Sequence, residues 1–281
     1  MRSLHNVFAP AKLNLFLHVT GRRDDGYHLL QSVFMLIDWC DILHFDVRAD
    51  GVIAREDLNV ALPAHDLVIR AAQLLQRASG TTLGAHIAIE KHIPAQAGMG
   101  GGSSDAATTL LALNRLWELN WPHSKLMPLG LALGADVPFF LGGHNAWIEG
   151  IGEQITPIEV PAARFAIVKP NTGLATEEIF RAPELERATE TATMPVFAVD
   201  PYGFGRNDLQ PVAQALCPEI TQAIQWLGSF GLSPRMTGSG SAVFAKLPDN
   251  VLIDSAPHDW QMRICSNMAV HPQAGWAASE S

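Results

Sequence analysis

A glycine-rich run at residues 93–106 is the strongest chemical signal in this sequence. It reads Ile-Pro-Ala-Gln-Ala-Gly-Met-Gly-Gly-Gly-Ser-Ser-Asp-Ala. Glycine lets the backbone adopt positive φ and approach a ligand closely, and the first N–H groups of a helix lie at the positive end of its dipole. Because apolar residues at helical spacing follow the run, it predicts an anion site that suits a phosphate.

The two common nucleotide-binding loops do not fit this run. A Walker loop ends in Gly-Lys-Ser or Gly-Lys-Thr, whereas Gly102 is followed directly by Ser103. The dinucleotide fingerprint fails as well, because its third glycine would fall at Ser103. A flexible linker capped by Ser103 or Ser104 is the remaining alternative, and the predicted strand and helix on either side argue against it.

Phosphoryl transfer also needs a proton acceptor and a cation, and Asp136 and Lys12 are the candidates. Asp136 lies in the apolar segment 134–141, and Lys12 shares one face of an alternating segment with Asn14. Each residue has a simpler interpretation. Asp136 could cap a helix that begins at Val137, and Lys12 could be an edge residue whose stem covers apolar surface.

A second cluster of glycine and serine occupies residues 237–242, between two apolar segments. A tight turn between two strands explains its composition. A second amide-rich loop that binds or closes over the same phosphate is the other interpretation.

Tyr27 and His28 follow the turn-forming residues Asp24, Asp25 and Gly26. An ordinary hairpin turn explains this pattern. A flat base could instead stack on Tyr27 while His28 hydrogen-bonds its edge.

The whole-chain composition predicts a well-packed globular protein without a polyanionic partner. The chain has 281 residues, 48% of them hydrophobic and 17% charged, and a formal net charge of -9. The negative charge gives no overall attraction to nucleic acid or to an anionic membrane. Three widely spaced cysteines, together with the lack of a signal peptide or an apolar run of membrane-spanning length, favour a cytoplasmic location.

Hydrophobic periodicity predicts a mixed α/β chain. Strands are predicted from residue 12 to an end at 20–21 and at 33–39, 42–47, 85–91, 146–149 and 164–169, with a strand, turn and strand at 236–247. Helices are predicted at 66–78, 106–119, 124–133, 209–216 and 220–227, the first with Asp66 as its N-cap and Gly80 beyond its end. The last twenty or so residues lack clear periodicity, which predicts a frayed tail.

The motifs, taken together and in this order, resemble those of the GHMP kinases. They are Pro-Ala-Lys-Leu-Asn-Leu at 10–15, Gly-Tyr-His at 26–28, the loop at 94–106, Gly-Ala-Asp-Val-Pro at 134–138 and Thr-Gly-Ser-Gly at 237–240. The resemblance spans about residues 7–247. It implies a two-domain α/β (α+β) GHMP kinase fold with the active-site cleft between the domains, which are expected at 1–155 and 156–281.

The resemblance also implies the activity and the site. The family member that these motifs match phosphorylates the 2-hydroxyl of a cytidine diphosphate sugar alcohol, cytidine diphosphate methylerythritol, on the route to isoprenoids. ATP would be the donor, with Mg²⁺, and the protein would be a monomer or a homodimer. Asp136 would be the general base and Lys12 its electrostatic partner.

The remaining site residues follow from the same resemblance. Asn14 would contact the substrate, and Tyr27, His28 and Phe180 would hold the cytosine ring. The residues expected around the phosphates of ATP are Pro94, Ala95, Gln96, Ala97, Gly98, Met99, Gly100, Gly101, Gly102, Ser103 and Ser104.

Overall fold

The computed structural model describes residues 2–257 and 259–279. The strands are β1 (Ser3–Arg22), β2 (His28–Arg48), β3 (Ile53–Asp57), β4 (Gly84–Glu90), β5 (Ala146–Glu149), β6 (Gln154–Pro157), β7 (Arg164–Lys169), β8 (Arg235–Met236), β9 (Val243–Lys246) and β10 (Gln261–Met268). The helices are α1 (Leu67–Ser79), α2 (Gly101–Leu116), α3 (His123–Leu133), α4 (Val137–Gly142), α5 (Thr176–Arg181), α6 (Met194–Val199), α7 (Gln210–Leu216) and α8 (Pro218–Gly228). The predicted mixed α/β class is confirmed. None of the helices in these two ranges has the length and apolar content that crossing a bilayer requires.

Strands β1 and β2 form a long antiparallel hairpin that carries several of the predicted site residues. The sequence predicts two separate strands at 33–39 and 42–47, but β2 is continuous. Its register against β1 shifts between Pro10, opposite Cys40, and Ala11, opposite Ile37. This irregularity accommodates the polar residues near position 40 within the strand, so no turn is needed there.

The hairpin belongs to a large sheet with the strand order β3-β4-β2-β10-β7-β9-β8, in which β1 pairs with β2, and β5 pairs with β2 and β6. The pairs are antiparallel except β3 with β4. β10 lies between β2 and β7. The division of the chain at residue 155 stays a prediction, and β10 joins the strands on its two sides.

Helices α1 and α2 pack together on one face of this sheet. Asp66 accepts a hydrogen bond from Ile69 N (3.1 Å), and Gly80 ends α1 with φ 69°, which confirms both predicted caps. Helix α2 begins at Gly101, before the predicted start at Ala106, because Gly100 at φ 72° turns the chain directly into the helix. Its buried side chains, such as Leu110 and Leu113, pack in the core below the sheet.

The prediction of a frayed tail over the last twenty or so residues is wrong for those that the structure describes. β10 pairs with β7 from Gln261 to Ser266, and Cys265 in this stretch is 1% exposed. The residues after β10 are also anchored, since His271 N donates to Gly143 O at 2.8 Å and Ala278 N donates to Trp121 O at 3.1 Å. The alternation was hidden because Asn267 is polar, and its side chain hydrogen-bonds the backbone of Ala163.

A Cys265→Asp substitution tests the central position of β10. We expect it to lower the free energy of unfolding by about 3–5 kcal/mol, because it buries a carboxylate close to that of Asp38. Urea denaturation measures the change. Gln261→Asp, on an exposed position of the same strand, is the matched control and should change stability little. Equal stability of both variants would contradict the place of β10 in the sheet.

Candidate active site

A cavity of about 760 Å³ gathers most of the residues that the sequence singles out. Of the predicted site, it is lined by Lys12, Asn14, Asp136, Phe180 and residues 94–103. Ser104 lies behind this wall, fully buried. Tyr27 and His28 are outside the lining, and Tyr27 is 61% exposed.

Lys12 is a buried cation facing Asp136. Its Nζ lies 3.7 Å from Asp136 Oδ2, with side-chain exposures of 4% and 32% respectively. It also donates to Asn14 Oδ1 at 2.5 Å and lies 4.6 Å from the centre of the Phe34 ring. Burial lowers the pKa of Lys12, and the Asp136 carboxylate partly opposes that shift.

The simpler interpretations of these two residues do not describe the structure. Asp136 precedes α4, but its side chain makes no capping hydrogen bond to that helix. Lys12 is enclosed, so its ammonium group does not reach bulk water as an edge residue's would. The two side chains therefore lie at ion-pair distance from each other, and the Asp136 side chain remains partly open to the cavity.

Asn14, on β1, hydrogen-bonds both β2 and the turn at residues 237–242. Its Nδ2 donates to Ser32 Oγ at 2.9 Å on β2, and its backbone N donates to Thr237 Oγ1 at 2.9 Å. Ser32 in turn hydrogen-bonds Phe16 O. The amide orientation of Asn14 is therefore set, with its oxygen toward Lys12 and its nitrogen toward β2.

The glycine run is a loop that leads into the N-terminus of α2. Lys12 N donates to Met99 O at 2.9 Å, which fixes the loop against β1. No side chain caps α2, and Gly100, Gly101, Gly102 and Ser103 line the cavity. Their N–H groups are among the first of the helix and lack intrahelical acceptors, so this wall offers donors and a positive dipole end to an anion.

The second glycine cluster is a turn that packs directly on the first loop. Thr237 N donates to Ala242 O at 3.0 Å, as expected for a turn between β8 and β9. Ser241 N and Ala242 N donate to the carbonyl oxygens of Gln96 and Ala97, at 3.1 and 3.3 Å. The interpretation as a turn is therefore confirmed. Residues 238–240 line the same cavity, and binding of a phosphate by this turn stays a prediction.

The close packing of the two loops depends on glycine. A Cβ at Gly98 would lie 2.2 Å from Thr237 O, and one at Gly238 would lie 2.7 Å from Gly98 O. Both residues also have positive φ, 71° and 53° respectively. A side chain at either position would force the loops apart.

A buried ion cluster below the loop was missed by the sequence analysis. Lys91 Nζ contacts Asp41 and lies 2.5 Å from Asp105 Oδ2. Burial raises the pKa of Asp105, and the Asp41 carboxylate adds to that shift. Asp41 also accepts from Ile93 N at 2.8 Å, so this cluster joins both ends of the loop to β2. The available signal was the presence of two carboxylates in apolar surroundings.

The rim of the cavity carries an aromatic pair. The His28 ring lies 5.0 Å from the Phe180 ring, with 32° between the planes, and Phe180 itself lines the cavity. Arg187 Nε donates to His28 Nε2 at 3.1 Å. Burial lowers the pKa of His28, and the charges of Arg187 and Arg22 act in the same direction. The structure thus brings His28 and Phe180 together, while Tyr27 projects from the preceding turn.

The part of the chain that the structure describes contains no group of three or more His, Cys, Asp and Glu side chains arranged to hold a metal ion. The hydroxyl of Ser104 is buried and has no hydrogen-bond partner among the described residues. Ser103, the residue before it, lines the cavity. Any metal at this site would take most of its ligands from a bound anion and from water.

Two family models match the chain. The GHMP kinases N terminal domain matches residues 66–144, and the GHMP kinases C terminal domain matches residues 202–260. The 4-diphosphocytidyl-2-C-methyl-D-erythritol kinase of Albidiferax ferrireducens is 64% identical over 280 residues, covering 100% of this chain and 98% of that protein. The resemblance stated from the motifs is therefore confirmed at full length.

Solved structures agree with this relationship. A crystal structure of 4-(cytidine 5'-diphospho)-2C-methyl-D-erythritol kinase has a TM-score of 0.73 and 34% identity, covering 87% of this chain and 90% of its own. The mevalonate kinase of Methanococcus jannaschii has a TM-score of 0.67 at 14% identity, covering 95% and 98%. At that identity the second match supports the fold alone.

A Gly98→Ala substitution tests the contact between the two loops. We expect it to weaken binding of a non-hydrolysable ATP analogue by roughly tenfold or more, because about 1–3 kcal/mol of strain enters the loop. Calorimetric titration measures the affinity. Gly228→Ala is the matched control, since a Cβ there meets no heavy atom within 4 Å. Unchanged affinity in the Gly98 variant would show that the loop spacing does not matter for the nucleotide.

Proposed function

Because the chain belongs to the GHMP kinases, and within them to the 4-diphosphocytidyl-2-C-methyl-D-erythritol kinases, we propose that it transfers the γ-phosphate of ATP to the 2-hydroxyl of 4-diphosphocytidyl-2-C-methyl-D-erythritol. The products are the 2-phosphate and ADP. This step belongs to the methylerythritol phosphate route to isopentenyl diphosphate. The enzyme is a small-molecule kinase with an alcohol acceptor.

One observation carries the chemical part of the proposal. The Lys12 ammonium lies 3.7 Å from the Asp136 carboxylate in the same cavity that the glycine loop lines. A proton acceptor, a cation and a wall of N–H donors are the groups that phosphoryl transfer to a hydroxyl requires.

The donor end of the cavity is the loop at 94–104. The N–H groups around Gly100 and Gly101 would hydrogen-bond the phosphate oxygens, and the dipole of α2 would stabilise their charge. The second glycine loop, at Gly238 and Gly240, lines the same space and would limit the positions that the phosphates can take. The two loops together keep the terminal phosphate in line with the acceptor.

At the acceptor end, Asp136 would take the proton of the attacking 2-hydroxyl. Its carboxylate is 32% exposed, because the side chain opens to the cavity. Lys12 would hold the carboxylate in place and stabilise the negative charge that develops on the acceptor oxygen. Asn14 orients the Lys12 ammonium through its 2.5 Å hydrogen bond and would contact the substrate.

Mg²⁺ would accompany ATP and neutralise charge on its phosphates. Ser103, in the first turn of α2, lines the cavity and is the hydroxyl that fits as a protein ligand. Phosphate oxygens and water would complete the coordination shell, in keeping with the lack of a dedicated acidic cage among the described residues.

The cytosine of the substrate would lie at the rim formed by Tyr27, His28 and Phe180. The exposed ring of Tyr27 leaves one face available for stacking, and the Phe180 ring is the second aromatic surface. We expect a small-molecule partner only, neither nucleic acid nor membrane, with the protein as a monomer or homodimer. The thiols of Cys40, Cys217 and Cys265 are free, which supports a reducing, cytoplasmic location.

Acceptor competition tests the proposed substrate. Purified protein with ATP and Mg²⁺ is expected to phosphorylate 4-diphosphocytidyl-2-C-methyl-D-erythritol with a much higher kcat/KM than mevalonate or homoserine. Coupled measurement of ADP release gives the three values. A preference for either of the other two acceptors would overturn the assignment, and the absence of any transfer would indicate a protein that only binds nucleotide.

An Asp136→Asn substitution tests the proton acceptor. We expect kcat to fall by roughly 10²- to 10⁴-fold with little change in ATP affinity, because the amide cannot accept the proton but keeps the shape of the side chain. Steady-state kinetics and nucleotide titration separate the two effects. Asp249→Asn, at a fully exposed site, is the control. Near-normal turnover would remove the general-base role from Asp136.

A further inference from the structure

Arg187 determines which nitrogen of His28 carries a proton. Its Nε donates to His28 Nε2 at 3.1 Å. A guanidinium group has only donors, so the nitrogen that it contacts must accept. The proton of the neutral imidazole therefore lies on Nδ1, and this assignment follows from the chemistry of the partner.

Arg187 is held in this position by the segment that carries Phe180. Its Nη2 donates to the carbonyl oxygens of Phe180 (3.1 Å) and Ala182 (2.6 Å), and its Nη1 donates to Leu185 O at 2.9 Å. These bonds fix the guanidinium plane, so Nε can only point at His28. The same residue thus ties the imidazole to the aromatic ring beside it.

The other nitrogen of His28 remains available. Among residues 2–257 and 259–279, none hydrogen-bonds Nδ1 of His28. The ring lies 5.0 Å from Phe180, which lines the cavity. An N–H donor is therefore present beside Phe180, at the rim where the base of the substrate would lie.

We propose that Arg187 is a positioning residue that makes His28 a hydrogen-bond donor at Nδ1, so that the site selects cytosine over uracil. This inference rests on the proposed function. N3 of cytosine is an acceptor and matches the donor. N3 of uracil carries a proton, so the two N–H groups would face each other and both would lose their partners.

The Arg187→Met variant tests the selection. We expect the ratio of kcat/KM for the cytidylyl substrate to that for its uridylyl analogue to fall by roughly 10- to 100-fold, because the imidazole can then place either nitrogen as acceptor. Arg187→Lys supplies a single donor to Nε2 and should restore most of the ratio. Arg181→Gln removes a neighbouring exposed arginine that pairs with Glu177 and should leave the ratio unchanged.

The ratio separates positioning from structural support. A loosened Phe180 segment would lower kcat/KM for both substrates together and leave their ratio intact, and that result would overturn the proposal. His28→Asn leaves Arg187 and its carbonyl contacts in place while its amide can present either an oxygen or an N–H group. We expect its ratio to fall to the level of Arg187→Met, and an unchanged ratio would also overturn the proposal.

The tautomer itself is measurable without turnover. Long-range ¹H–¹⁵N spectra of the labelled protein, with His28 assigned by comparison with His28→Asn, should show a protonated Nδ1 and an unprotonated Nε2. Arg187→Met should mix the two forms. A protonated Nε2 in the original protein would overturn the inference whatever the enzyme phosphorylates, whereas failure of the proposed function would appear as absent turnover with the expected spectrum.

Discussion

The packing of one glycine loop on the other is the constraint on which the site depends. The 98 and 238 positions approach so closely that neither tolerates a Cβ. Through this contact, two loops that are far apart in the sequence form one wall of the cavity. Asn14 N donates to Thr237 Oγ1 beside it, so Lys12 and Asn14 on β1 are positioned relative to the same backbone. The proposed donor and acceptor sites are therefore held by one rigid framework.

The buried lysines Lys12 and Lys91, near this wall, have different electrostatic surroundings. Lys12 is buried next to the partly open carboxylate of Asp136, where a positive charge acts through little water. Lys91, in contrast, forms ion pairs with Asp41 and Asp105 below the loop. These pairs neutralise its charge and hold the two ends of the loop together. Because the net charge is -9, the proposed attraction of a polyphosphate depends on local N–H groups and on Lys12.

Structural features that depend only on neighbouring residues in the chain were predicted correctly from local sequence signals. The caps of α1 at Asp66 and Gly80 depend only on nearby residues, and the glycine run announced a helix N-terminus. The contact between Lys12 and Asp136 was expected from the motifs and not from any local pattern, since the residues are far apart in the chain. The only signal of the Lys91 cluster was the presence of two carboxylates in apolar surroundings, and the bond from Arg187 to His28 had none, because both depend on tertiary proximity.

The position of β10 has a consequence for synthesis of the chain. This strand lies between β2 and β7, with Asn267 opposite Ile37, so the middle of the sheet is supplied by one of the later segments to leave the ribosome. Until residue 268 has emerged, β2 and β7 present unpaired edges, and such edges invite pairing with other chains. The nascent chain is therefore open to pairing with other chains at a stage when its glycine loop is already synthesised.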